Sequence, residues 1–105
     1  MELKEIVEML SGLGLPLAYH HFAEGESPEP PFLIYLIPGS HNFSADGTVY
    51  FKVKQLDVEL YTDKKDIILE EKLEAVLEGR GLFYNKTESY IESEKLYEVL
   101  YELEV

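Results

Sequence analysis

The chain contains no cysteine, and this absence excludes several kinds of chemistry. Without thiols there can be no disulfide, no cysteine nucleophile and no thiolate metal site. Long apolar runs are also missing, since none approaches the ~20 residues that a membrane-spanning helix needs. The first residues, Met1 to Glu5, have neither a basic start nor an apolar stretch, so we expect no secretory signal.

Basic residues are scarce as well. Nine Lys and Arg stand against 21 Asp and Glu, which gives a net charge of −12 over 105 residues. Such a surface repels phosphate, so the composition argues against a sequence-specific nucleic-acid reader and against a protein that binds anionic membranes. The apolar fraction of 46% is well above that of a disordered chain. We therefore expect one soluble, cytosolic domain over residues 1–105.

The spacing of apolar residues predicts two helices. In residues 3–10 the positions i, i+3, i+4 and i+7 are apolar, which is typical of one buried helix face. A second helix is predicted to begin after Asp63 or Asp66 and to run to about Glu78, where Gly79-Arg80-Gly81 ends it. The apolar residues of its buried stripe are Leu69, Leu73, Val76 and Leu77.

Five strands are predicted around these helices, at 17–22, 32–37, 49–60, 82–87 and 95–105. In the third predicted strand the apolar residues change from odd to even positions near Lys54-Gln55, which predicts a β-bulge or a change of partner strand. The last run also fits a helical face, but β-branched and aromatic residues at its odd positions favour a strand. The order α-β-β-β-α-β-β predicts an α+β domain, a mostly antiparallel sheet with two helices packed on it. Two long loops, Ala23–Pro31 and Gly39–Gly47, connect its strands.

The sequence offers little for catalysis or metal binding. His20 and His21 are neighbours, and on a strand they would point to opposite faces, which argues against one shared metal. No helix-spaced pair of histidines occurs, and Ser40 beside His41 is no evidence of a catalytic triad. We expect no enzyme activity, no cofactor and no metal.

The acidic residues of the second helix form the clearest charge pattern. Glu70, Glu74 and Glu78 follow one another at i+4 spacing, with Lys72 as the basic residue within that helix. Like charges at this spacing destabilise an isolated helix by a few tenths of a kcal/mol per pair. The pattern fits a solvated face that keeps the protein soluble, and it also fits a surface that repels DNA or meets a basic partner.

Three stretches, 58–66, 70–74 and 83–94, resemble small prophage-encoded proteins from the head–tail region of long-tailed phages of Gram-positive bacteria. The order of elements over nearly the whole chain is also similar to that of tail terminator, or tail completion, proteins. The resemblance implies a non-catalytic structural role. Such proteins form a ring, usually of six subunits, that caps the tail tube and faces the head connector. It also implies assembly in the cytoplasm of the bacterial host and then a place in the virion.

This role leads to two hypotheses about residues. An acidic lumen would let DNA pass without sticking, and the face formed by Glu70, Glu74 and Glu78 is the candidate for it. The two long loops are candidates for contacts with neighbouring subunits or with the connector. Their candidate contact residues are Glu26, Glu29, His41, Asn42, Phe43 and Asp46.

A second class of function fits the same charge. A small acidic inhibitor or immunity protein could neutralise a basic enzyme by charge complementarity. Such an inhibitor is expected to be monomeric, whereas a tail terminator is expected to form a closed ring through head-to-tail contacts.

Overall fold

The computed structural model describes residues 1–45 and 47–105, with the main chain alone described for 43, 45 and 48–51. It contains two helices and five strands in the predicted order. Their bounds are α1 Leu3–Ser11, β1 Leu17–Tyr19, β2 Phe32–Ala45, β3 Thr48–Thr62, α2 Ile67–Gly79, β4 Tyr84–Ile91 and β5 Leu96–Glu104.

The strands form one mixed sheet in the order β1-β2-β3-β5-β4. β1 runs parallel to β2, and the other neighbours are antiparallel. This confirms the predicted α+β fold with a mostly antiparallel sheet. The C-terminal run is a strand, as its alternation favoured. It lies between β3 and β4, and its residues Val99, Tyr101 and Leu103 are in register with the buried residues of β3 and enter the core.

Both helices pack on the same face of the sheet. Ile6 and Leu10 of α1 and Leu73 and Leu77 of α2 are fully buried and belong to one apolar cluster. Every second residue of the strands completes the cluster: Leu33, Tyr35, Leu56, Val58, Leu60, Val99, Tyr101 and Leu103. Burying one such aliphatic side chain contributes roughly 1.5–3 kcal/mol. The opposite face has no helix on it, and we call it the open face.

Local signals fix where each helix begins and ends. Glu2 and Glu5 form a capping box at the start of α1. At α2 the amide of Leu69 donates to Asp66 Oδ1 over 3.0 Å, so Asp66 is the cap and Asp63 is not. Two residues after α2 ends, Gly81 has φ +69°, a conformation that glycine adopts without steric cost.

The predicted loop over 39–47 is wrong. β2 continues to Ala45 and β3 begins at Thr48, so His41, Asn42 and Phe43 lie on a strand. β2 continues through Pro38, which falls in a β-bulge, where a missing amide is tolerated. The predicted contact residue Asp46 lies outside the described residues.

The irregularity predicted near Lys54-Gln55 is a change of partner. β5 pairs with β3 from Gln55 onwards, and the last hydrogen bonds join Lys54 to Val105 in both directions. The bulge itself lies on the other strand, between Leu36 and Gly39 of β2. Before residue 54, β3 therefore pairs with β2 alone.

Candidate functional site

Glu70 and Glu74 do not form a bare acidic surface. Glu70 is 2% exposed, and its carboxylate accepts hydrogen bonds from Lys65 Nζ at 2.6 Å and Lys86 Nζ at 2.9 Å. Glu74 Oε2 accepts from Lys86 Nζ at 2.8 Å and from the Tyr101 hydroxyl at 2.7 Å. Two carboxylates of the helix are therefore held between α2 and the sheet.

The pKa shifts follow from this arrangement. Burial pushes the pKa of Glu70 up, but the hydrogen bonds from Lys65 and Lys86 outweigh it and leave the pKa below its ordinary value. For Glu74, burial likewise opposes a lowering that comes from Lys86 and the Tyr101 hydroxyl. Both side chains are thus held as carboxylates, with cations beside them.

The expected acidic face on α2 therefore needs a correction. Of its three glutamates, only Glu78 is exposed, and it accepts a hydrogen bond from the Tyr84 hydroxyl at 3.2 Å. The sequence pattern drew attention to Lys72, within the same helix. The cations that compensate Glu70 and Glu74 come instead from the segment before α2 and from β4, which sequence spacing does not bring near the helix.

A second group of acidic residues lies on the open face. On β3 and β5 every second side chain enters the core. The side chains at the intervening positions of each strand point to the opposite face, and five of these are acidic. They are Asp57, Glu59, Glu98, Glu102 and Glu104. Asp57 is directly opposite Glu102. Over the described strand residues, the register places no Lys or Arg on this face.

The open face is electrostatically strained. Burial raises the pKa of Asp57, and the nearby charges of Glu102 and Glu59 raise it further. The pKa of Glu98 is also raised, by burial and then by Glu59. Asp57 Oδ1 is buried and has no hydrogen-bond partner within the described part of the chain. Like charges directly opposite each other destabilise a strand pair, so this arrangement contributes nothing to folding.

The β2 side of the open face is apolar and covered. The segment between β1 and β2 is irregular, as predicted for Ala23–Pro31, and its Phe22 packs edge-on against Phe32 at 5.4 Å between ring centroids. Phe32 in turn stacks on Tyr61 at 5.1 Å. Glu26 and Glu29, the predicted contact residues of this loop, are exposed. The apolar half of the face is therefore buried within the chain, while the acidic half remains open.

Beyond the ends of the neighbouring strands, β2 and β3 continue as a two-stranded ribbon. We call residues 39–45 and 48–54 the arm. β1 pairs with β2 only over Leu33–Tyr35, and β5 pairs with β3 only from Gln55, so among the described residues the arm has no third strand beyond the Lys54–Val105 hydrogen bonds at its base. Seven residues per strand give it a length of about 20 Å. Two-stranded ribbons are marginally stable alone in water.

The arm differs in charge from the rest of the chain. Counted over residues 39–54, the arm and its connection hold Lys52 and Lys54 against Asp46, a formal charge of +1. Because the whole chain carries −12, all other residues together carry −13. Lys52 is exposed, and Lys54 Nζ donates to the Met1 carbonyl oxygen at 2.9 Å.

A groove of about 490 Å³ lies at the base of the arm. His41 and Gln55 line it from the arm side, and His41 Nδ1 is 2.7 Å from Glu104 Oε1. Phe83, which is 84% exposed, stands at its other side. The remaining lining residues are Gly81, Leu82, Asn85, Glu102, Leu103 and Glu104.

The predicted histidine arrangement is wrong in one respect. β1 ends at Tyr19, so His20 and His21 are not on a strand. His20 has φ +67°, and the two Nδ1 atoms approach to 3.0 Å. Among residues 1–45 and 47–105, no group of three or more His, Asp or Glu is placed to hold a metal ion.

Comparison with known proteins adds no family to these observations. No family model matches the chain, and no curated protein matches it. In the described residues, neither helix is long and apolar enough to cross a membrane.

Proposed function

We propose that this protein is a structural component of a phage tail, a tail terminator that caps the tail tube as a ring and joins it to the head connector. The arm is the observation that carries the proposal. A ribbon whose outer edges have no third strand gains stability by contact with another chain. A ring assembled from identical subunits supplies such a contact on every copy.

The open face supports the same role. DNA passing through a ring meets whichever surface lines the lumen, and uncompensated carboxylates repel its phosphates. The carboxylates of Glu59 and Glu98 meet this need, whereas those of Glu70 and Glu74 are already paired with lysines. We therefore move the proposed lumen from α2 to the open face.

The proposed role requires no catalysis and no cofactor. Its partners are further copies of this chain, the tail tube and the head connector. The resemblance of residues 58–66 and 83–94 to phage head–tail proteins supports these partners. The place of action is the bacterial host cytoplasm during assembly and then the virion.

Inactivation of the gene in the parent phage tests the function. We expect heads and tails to remain separate in negative-stain electron micrographs, and plaque formation to return when the wild-type gene is supplied in trans. Complementation with E59K/E98K is expected to give fewer plaques than the matched control E71K, because Glu71 is exposed on α2. Infectious, joined particles without the protein would contradict the proposal.

An inhibitor or immunity protein is the second candidate, and the same open face favours it. Asp57, Glu59, Glu98 and Glu102 form a row of carboxylates to which a basic enzyme could bind with a strong salt dependence. Light scattering on a sizing column separates the two candidates. A ring of six 12.1 kDa chains has a mass of 72.6 kDa, and its share is expected to grow with salt, which screens the acidic repulsion. A monomer at every salt and protein concentration favours the inhibitor.

A further inference from the structure

We propose that the arm of one copy docks in the groove at the base of the neighbouring copy's arm. This inference rests on the proposed ring and names its subunit contact. The neighbour's own arm, which lies beside that groove, docks in the groove of the next copy in turn. The contact is therefore head-to-tail, and it uses two different surfaces of each chain.

The free main-chain edges of the arm and its residue pattern both suit it to this contact. Except at Lys54, its outer edges present main-chain amides and carbonyls that no third strand satisfies within the described residues. In its sequence from 51 to 54, apolar residues alternate with Lys52 and Lys54, and Lys52 is exposed. A segment of this kind fits a surface that combines an apolar wall with carboxylates.

The groove has that combination. Phe83 and Leu82 supply apolar surface at one wall, and Phe83 is 84% exposed in the single chain. Glu102 and Glu104 add carboxylates to its lining. An aromatic residue so exposed beside a concave surface is typical of the anchors found at protein interfaces.

Charge selects the arm as the occupant. Residues 39–54 carry +1, and the rest of the chain carries −13. A contact that leaves out both arms would bring two acidic surfaces together, whereas a contact between the arm of one copy and the acidic part of another would not. A symmetric pairing of two open faces would place the five carboxylates of one copy against those of the other. Head-to-tail docking of the arm avoids this repulsion.

One other surface competes for the arm. Ile67, Ile68 and Tyr90 are about half to two-thirds exposed at the end of the sheet where β3 finishes, away from the arm. This patch contains exposed apolar residues, but it is not the groove described above. The test must separate the two surfaces.

Cysteine cross-linking does so, because the natural chain contains no cysteine. K52C and N85C are purified separately, mixed, and oxidised at a concentration where light scattering shows the ring. We expect a disulfide-linked dimer that contains one chain of each variant. K52C mixed with I68C, the matched control at the other end of the sheet, is expected to give at least about tenfold less product.

Substitutions give a second readout that does not depend on cysteine geometry. F83S is expected to weaken self-association at least about tenfold, in the range of aromatic residues at interface centres. K52E and E102K are each expected to weaken it, and the double variant K52E/E102K is expected to recover most of the loss. Circular dichroism confirms that each variant is folded before its association is measured.

The outcomes distinguish the contact from the function. A ring that forms without the K52C–N85C link, or that survives F83S and dissociates with I68S, overturns the docking proposal and leaves the ring in place. A chain that stays monomeric also overturns it. Loss of head–tail joining on gene inactivation, measured separately, would still support the proposed function in either case.

Discussion

Glu70 on α2 and Asp57 on β3 are both acidic residues withdrawn from water, but their surroundings differ. Glu70 accepts hydrogen bonds from Lys65 and Lys86, and its pKa is lowered despite burial. Asp57 is opposite Glu102, one of its oxygens has no partner among the described residues, and its pKa is raised. The first carboxylate stabilises the fold, and the second opposes it.

Folding alone explains the first of these two carboxylates but not the second. A carboxylate with two lysines beside it is explained by folding alone. A row of carboxylates that destabilises its own sheet is not, and groups that oppose stability are often retained because a partner or a substrate needs them. The open face is therefore the better candidate for contact with other molecules.

Removal of Lys86 is expected to have the largest effect on stability. K86M leaves Glu70 buried with one lysine and Glu74 with the Tyr101 hydroxyl alone. Breaking a buried ion pair from one side costs roughly 3–5 kcal/mol, and because Lys86 is 37% exposed we expect about 2–3 kcal/mol less free energy of unfolding. Urea denaturation measures the change. K72M, on the exposed side of α2, is the control and is expected to stay within about 0.5 kcal/mol of the wild type.

The sequence predicted the order of elements and missed this network for one physical reason. Apolar periodicity is local, so α1, α2 and the alternation of β5 can be read directly. Lys86 reaches Glu70 and Glu74 only because β4 lies beside β5 at the edge of the sheet, and that neighbourhood is set by non-local pairing.

The open face was missed for a related reason. Asp57 and Glu102 are 45 positions apart, and only the register of β3 and β5 brings them together. The sequence shows that Glu98, Glu102 and Glu104 alternate with apolar residues, but it does not show which strand lies beside them. The arm was missed because proline is rare inside a strand, so Pro38 points to a strand end, although the Asp46-Gly47 pair is a sequence signal for a tight hairpin.

Removal of the charge at Asp57 is expected to have the opposite sign. D57N keeps the shape of the side chain and removes the repulsion from Glu102 and Glu59, so we expect a gain of about 0.5–1 kcal/mol in the free energy of unfolding. E71Q, which removes a charge from an exposed position on α2, is the matched control. A gain of the same size in both variants would mean that net charge is responsible and that the position of Asp57 is not.

The pH dependence of these two effects is expected to differ. The penalty at Asp57 is present above its raised pKa and is relieved as the pH falls towards the ordinary value of 3.8. The stabilisation at Glu70 is present above the ordinary value of 4.5 and is lost as the pH falls through its lowered pKa. Urea denaturation at several pH values is therefore expected to show the D57N gain disappearing at a higher pH than the K86M loss. Disappearance in the reverse order would contradict the two assignments.

The smallest effect is expected at the hydrogen bond between the side chains of His41 and Glu104. Both side chains are largely exposed, at 65% and 53%, so water competes for their 2.7 Å contact. Exposed pairs of this kind contribute between zero and about 1 kcal/mol, and we expect a coupling free energy below about 0.5 kcal/mol from a double-mutant cycle of H41A and E104Q. The pair also lines the groove, so the same variants are expected to change self-association more than unfolding. Equal changes in both measurements would show that His41 and Glu104 act within one chain and not between two.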